Sequence, residues 1–309
     1  MNFLRPVIVV LIFSFLNGCN SPEPILEPEV MSLLGRSLYA PELPKRELLR
    51  RCTKLNQAHQ AYLVDPTNEV AIIWFGRRLA YLGRYHEAVD IFSEGLTQYP
   101  DSARLLRHRG HRYITLRRFE EAIADLSRAA ELIAGTRDEI EPDGMPNAQG
   151  MPRSTTHTNI YYHLGLAYYL NDQFEESRQA YATCLDISPN DDNRVSSSYW
   201  LVLNLRRLGL ETVAEALLQD INPDMDVIEN FAYRDLLLMF KGELDLEAIE
   251  GVDGDALQNT TAAYGIAAWA LVNGDQDEAT SRYQAIVESD QWAAFGFIAA
   301  EAELARNHD

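Results

Sequence analysis

Apolar residues along this chain recur at intervals of three and four, and alternation at two is absent, so the pattern predicts helices and no sheet. From Glu69 to Pro100 that recurrence is framed by small residues: Gly76 is followed at +3 by Leu79, at +12 by Ala88, at +16 by Phe92, at +19 by Gly95 and at +24 by Pro100. The frame returns 34 residues later, where Gly110 is followed by Tyr113, Ala122, Leu126 and Ala129. After an interruption it returns again, with Gly165 followed by Tyr168, Ser177, Tyr181, Cys184 and Pro189. Small residues at the first and +12 positions let two antiparallel helices approach closely. The apolar residues at +3 and +16 fill the seam, and the proline ends the second helix. One such hairpin cannot bury its apolar faces alone, whereas a stack of them can.

Those glycine, aromatic, alanine and proline positions resemble the tetratricopeptide repeat. The resemblance implies an all-α, right-handed superhelical solenoid of helix hairpins, whose concave groove is lined by the first helix of each repeat and holds a peptide from a partner protein. Weaker units extend the array. Glu47 to Tyr62 places Leu48, Cys52, Leu55, Ala58 and Tyr62 at helical spacing and reads as a lone second helix. Val195 to Asp220 keeps Gly209, Ala214 and Leu218; Asp226 to Glu250 keeps Phe231 and Leu238 with a shortened second helix; Thr261 to Ser289 keeps Gly274, Ala279 and Tyr283. Trp292, Phe295, Ile298 and Ala302 mark a final amphipathic helix that is expected to cap the last interface. The total is about six hairpins.

The ends and the interruption have a different composition. Residues 1–18 combine Arg5 with an apolar run from Val7 to Leu16 that is too short to span a bilayer, and Leu16-Asn17-Gly18-Cys19 resembles a bacterial lipobox. That resemblance implies a signal peptide, lipidation of Cys19, and a place in the bacterial cell envelope. With Asn20 rather than aspartate next, it implies the outer membrane, facing the periplasm. Residues 19–43 are expected to be a flexible tether rich in proline and glutamate. Residues 44–134 are assigned to the N-terminal helix and the first two units, and residues 158–309 to the third unit, the weaker units and the cap. Residues 135–157, rich in glycine and proline and carrying Asp138, Glu139, Glu141 and Asp143, form an inserted loop. Of the remaining cysteines, Cys184 sits in a small-residue slot and is expected as a buried thiol, with no structural disulfide to Cys52.

A net charge of −19 argues against a nucleic acid as partner. One segment reverses that sign. Between Ser102 and Phe119 there is no acid but six arginines and two histidines. Arg104, Arg107 and His111 fall at i, i+3, i+7 on one stripe of a helix, with His108 beside them. The tetratricopeptide resemblance points that stripe into the groove. Arg77, Asn159, Tyr162, His163 and Tyr169 join it from the neighbouring units. Paired guanidinium hydrogen bonds suit carboxylates and phosphates, so these residues are read as the binding site for an acidic or carboxylate-terminated protein segment. The competing reading is internal pairing, with acids of the insertion neutralising the arginines or acting as a lid. Arg109, in a slot that is leucine in the family, is expected to need an internal acid.

Small-anion reception and metal-dependent hydrolysis through His108, His111 and His163 are the alternatives. No catalytic motif, metal set or cofactor fingerprint is present, and the chain is read as a non-enzymatic scaffold. The segments Arg107–Tyr113, Glu141-Pro142-Asp143-Gly144 and His163–Tyr169 resemble a group of bacterial repeat proteins, a likeness that brings no activity with it. In plan the chain is similar to envelope lipoproteins with tetratricopeptide repeats that act as adaptors for peptidoglycan hydrolases.

Overall fold

Short polar residues cap five helices among the described residues, and left-handed turn residues link the paired ones. The computed structural model describes residues 27–250 and 256–306, so the lipobox-like segment and Cys19 lie outside the described residues. Helix α1 (Lys45–Val64) leads the stack. Six hairpins follow among the described residues: α2 (Glu69–Ala80) with α3 (Tyr85–Gln98), α4 (Ala103–Thr115) with α5 (Phe119–Ile133), α6 (Thr156–Leu170) with α7 (Phe174–Asp186), α8 (Asp191–Arg207) with α9 (Glu211–Leu218), α10 (Phe231–Lys241) with α11 (Leu246–Glu250), and α12 (Ala256–Val272) with α13 (Gln276–Val287). Helix α14 (Phe295–Arg306) closes the chain. Asn68, Ser102, Asn190 and Asp275 cap α2, α4, α8 and α13 by accepting a backbone N–H one turn in, and Thr155 and Thr158 form a reciprocal capping box at α6.

The glycine frame has the geometric role its spacing implies. A Cβ at Gly76 would lie 2.4 Å from the Phe92 ring, at Gly110 2.8 Å from Leu126, and at Gly165 2.7 Å from Tyr181. Each glycine therefore faces its own +16 residue, and the helices of one hairpin touch backbone to side chain. In the turns between the paired helices, Gly83, Gly209, Gly242 and Gly274 take positive φ, which costs glycine nothing. The second and third hairpins have no glycine there. Arg117 (φ 61°) and Asp172 (φ 60°) occupy the left-handed conformation instead, at a cost of about 1–2 kcal/mol each.

Two expectations are corrected. Residues 19–43 do not form a tether throughout: Val30–Met31 (β1) pairs antiparallel with Ser37–Leu38 (β2), and Leu38 is buried in the common core. The Glu29 carboxylate accepts from the Tyr85 N–H at 3.0 Å, and Arg36 donates to the Val287 carbonyl, so this hairpin joins the start of the stack to its end. The final helix does more than cap. It covers α12 and α13 and also turns inward against the first helices, as described below. Cys184 is, as its slot implied, a free buried thiol, whose pKa burial pushes up to about 12. Among the described residues no helix is long and apolar enough to cross a membrane.

Candidate binding site on the inner face

Helices α2, α4 and α6 stand side by side, and the insertion lies across them. Its edges are pinned to the backbone of α6 and to its own return strand: Glu141 N–H donates to the Ser154 carbonyl, Thr156 N–H to the Glu139 carbonyl, and Asp138 accepts from His157 N–H. Between those pins the Glu141 carboxylate drops into the inner face and is buried. Arg107 Nη2 approaches it at 3.3 Å, Arg77 Nη1 at 3.8 Å and His108 Nε2 at 3.9 Å, and Asn159 Nδ2 donates to it at 3.1 Å. The backbone that follows is gripped too. Arg77 Nη1 donates to the Pro142 carbonyl (2.8 Å) and Arg78 Nη1 to the Gly144 carbonyl (3.0 Å). Gly144 itself presses on Tyr81, whose hydroxyl would lie 2.1 Å from an added Cβ.

Four of the nine binding residues expected from sequence, Arg77, Arg107, His108 and Asn159, thus converge on one carboxylate. Arg107 is 8% exposed; its Nη1 is 2.8 Å from His108 Nδ1 and its Nε has no hydrogen-bond partner. Burial lowers the Arg107 pKa and Glu141 partly restores it. His108 stacks on Phe92, and burial followed by the surrounding arginines holds it neutral, well below the usual histidine range. Arg104 stands apart, half-exposed, 3.5 Å from Glu69. Arg109, as its slot implied, is held internally: Nε and Nη2 donate to the two Asp125 oxygens at 2.7 and 2.8 Å.

A second group of expected residues meets α14 instead of open groove. His111 and His163 lie ring to ring at 4.3 Å, with Phe295 at 5.2 and 5.6 Å. Both imidazoles are kept well below the usual range, by burial first and by neighbouring cations second. Tyr162 exchanges a hydrogen bond with Tyr233 (2.8 Å) and accepts one from Trp200 Nε1 (3.0 Å). Tyr169, expected to face the groove, is fully buried; its hydroxyl accepts from Arg207 Nε at 2.9 Å and from the Tyr264 hydroxyl at 3.0 Å. The reason is long-range: α8, α12 and α14 close over that side of α6.

Helix α14 is locked by ions. Arg117 Nε donates to Glu301 (2.8 Å) while its Nη2 donates to the Trp292 carbonyl (2.9 Å), and Glu303 pairs with Arg207 and, at 2.9 Å, with Arg306. Glu301 and Glu303 are 1% and 3% exposed. Arg306 also pairs with Asp172. The two turns that lack glycine are therefore those whose side chains reach α14. Sequence reasoning missed these clamps, although two glutamates inside the apolar run from Phe295 to Leu304 are a readable request for buried cations. Tyr81, Arg78 and Gly144 left no comparable signal. Among the described residues no cluster of histidine, cysteine or carboxylate side chains suited to a metal ion is formed.

Residues 158–191, covering α6 and α7, match the family model for the tetratricopeptide repeat. Among solved structures the chain is similar to MamA (18% identical, covering 57% of this chain and 88% of that one, TM-score 0.44). It is also similar to YrrB, a tetratricopeptide-repeat protein with an unusual peptide-binding site (12%, 81% and 99%, 0.43), and to PilW, a type IV pilus biogenesis factor (15%, 79% and 87%, 0.46). No curated protein matches the chain. With one repeat matched outright and six helix hairpins stacked in series among the described residues, the fold is the all-α solenoid of tetratricopeptide-type hairpins.

Proposed function

We propose that this protein is a non-enzymatic interaction scaffold that binds a carboxylate-bearing segment of a partner protein at Arg77, Arg107, His108 and Asn159. One observation supports the reading: three helices present two arginines, a histidine and an amide around a single buried carboxylate, so the inner face holds an acid in chemistry that a partner's glutamate or C-terminus would also satisfy. The energetics set the affinity. Charge-assisted hydrogen bonds contribute about 1.5–3 kcal/mol each, and a micromolar complex needs about 8 kcal/mol after ordering costs, so the interaction is weak and sensitive to salt. Titration of a fluorescent acidic peptide tests it. Arg77→Ala with Arg107→Ala is expected to weaken binding by about tenfold or more, a loss of roughly 1.4 kcal/mol or more. Unchanged affinity would remove the site.

The lipobox-like segment supports a lipid anchor at Cys19, with the scaffold held at the outer membrane of a bacterial envelope. Mass spectrometry of the mature N-terminus tests this: an acylated Cys19 is expected, and a Cys19 found unmodified or bridged to another cysteine sinks the anchor. Small-anion reception is a second reading, favoured by Arg112, which lies against the Tyr85 ring with no carboxylate partner among the described residues and whose pKa burial lowers to about 10. Thermal stabilisation by phosphate in the wild type but not in Arg112→Gln would establish it, and no shift in either would dismiss it.

A further inference from the structure

We infer that the segment Glu141-Pro142-Asp143-Gly144 is a built-in competitor for the partner site, and that the partner segment shares its chemistry: a carboxylate, followed directly by a proline, then one variable residue and a glycine. The inference rests on the carboxylate-binding reading above and specifies its ligand. Four features of the segment are each met by a separate feature of the repeat surface. The Glu141 carboxylate fills the place between Arg107 and Asn159. The Pro142 carbonyl is clamped by Arg77 and the Gly144 carbonyl by Arg78, side chains that stand one after the other on α2. Gly144 sits where Tyr81 leaves no space for a side chain. Asp143 is the position the surface does not read: its carboxylate turns back to accept the Met145 N–H at 2.9 Å.

The docking is that of a peptide on a receptor and not of a loop sealed into a core. Ile140 and Met145 on either side are 63% and 49% exposed, and the contacts to Glu141 are longer than the 2.7–2.9 Å of a close charge-assisted pair. The insertion is anchored at its base by Asp138 and by Arg153, which donates to Asp192 at 2.8 Å, so the Glu141 side chain and residues 142–145 can leave while both ends stay attached. An internal ligand of this kind lowers the apparent affinity for an external one by the fraction of molecules in which the site is free.

The probe is a labelled peptide of residues 140–145, with a peptide of the same composition in scrambled order as control, titrated against the full chain. Glu141→Gln removes the competitor's charge and leaves every receptor side chain. Gly144→Ala leaves the charge and forces the segment away from Tyr81. Both variants are expected to bind the probe about tenfold more tightly than the wild type, consistent with a site more than nine-tenths occupied from within. Hydrogen exchange in residues 137–154 of the wild type should rise when the probe saturates it. Equal binding of probe and scrambled peptide by both variants overturns the inference and leaves the carboxylate site standing. Affinity unchanged from wild type in both variants overturns it as well, by showing that the segment does not compete. Failure of both peptides to bind either variant, with folding intact by circular dichroism, overturns inference and site together.

Discussion

The two halves of this molecule cover the same kind of surface in opposite ways. In the first, the inner faces of α2, α4 and α6 carry arginine, histidine and asparagine, and an irregular loop lies over them, its Glu141 carboxylate held at 3.1 to 3.9 Å with exposed apolar residues on either side. In the second, the first helices are plugged by α14, whose two glutamates are almost wholly buried and paired with arginines from α8, from α14 itself and from the turn after α4. A buried carboxylate that a loop holds through long contacts is exchangeable, because the loop can lift and let water reach it. One desolvated inside a helix is not, because removing its partner leaves a charge with neither water nor counter-ion.

Replacing a carboxylate by its amide on each side tests this directly, and the largest effect is expected at α14. Glu303→Gln strands Arg207, leaves Arg306 with Asp172 alone, and should cost about 3–5 kcal/mol in chemical denaturation; a loss below about 1 would mean that α14 is only loosely seated. The turns come next. Arg117→Gly relieves backbone strain but leaves Glu301 unpaired, so a net loss of about 3 kcal/mol is expected. Asp172→Gly removes only an exposed partner of Arg306, and stability should stay within about 1 kcal/mol of wild type or rise. If both turn variants were stabilised alike, the clamp role of Arg117 would be wrong.

Acidification should loosen the inner face of α4 and α6. His108, His111 and His163 are held neutral when folded, with pKa values well below the 6.5 of the unfolded chain. The unfolded state therefore binds more protons as pH falls below about 6.5. Stability is complete above that pH and declines beneath it, by up to about 3 kcal/mol for the three together between pH 6.5 and 5.5. A melting temperature flat across that window would show that the three imidazoles protonate in place. The smallest loss is expected at the loop: Glu141→Gln should cost only about 1–2 kcal/mol, since the amide still accepts from Asn159. A loss as large as that of Glu303→Gln would erase the distinction between the halves.

Much of this was legible before any coordinates. Gly76, Gly110 and Gly165 each lie against the residue sixteen positions on, and the weaker units at Gly209, Leu238 and Ala279 pair into hairpins where their spacing put them. Of the site, Arg107 and Glu141 were readable as opposite charges in search of partners, and Arg109 as a cation that needed an internal acid. Tyr169 was placed wrongly because its surroundings come from residues Arg207, Tyr264 and Glu303, far along the chain. The hairpin at Val30–Leu38 was invisible for a related reason: two short strands too brief to show a period owe their order to the stack beneath them.

The sequence by itself determined the unit, because a hairpin is a local object whose close approach, seam and stop are written within 34 residues. It also determined the sign of the inner face, since helix geometry places Arg107 and His111 on one side of α4 whatever surrounds them. Only the tertiary structure decided what covers that face. Arg117 meets Glu301 across 184 residues and Arg77 meets Pro142 across 65, and such pairings follow from how the stacked hairpins curve, a small rotation per repeat that no local pattern encodes but that accumulates until Arg36 meets Val287 across 251.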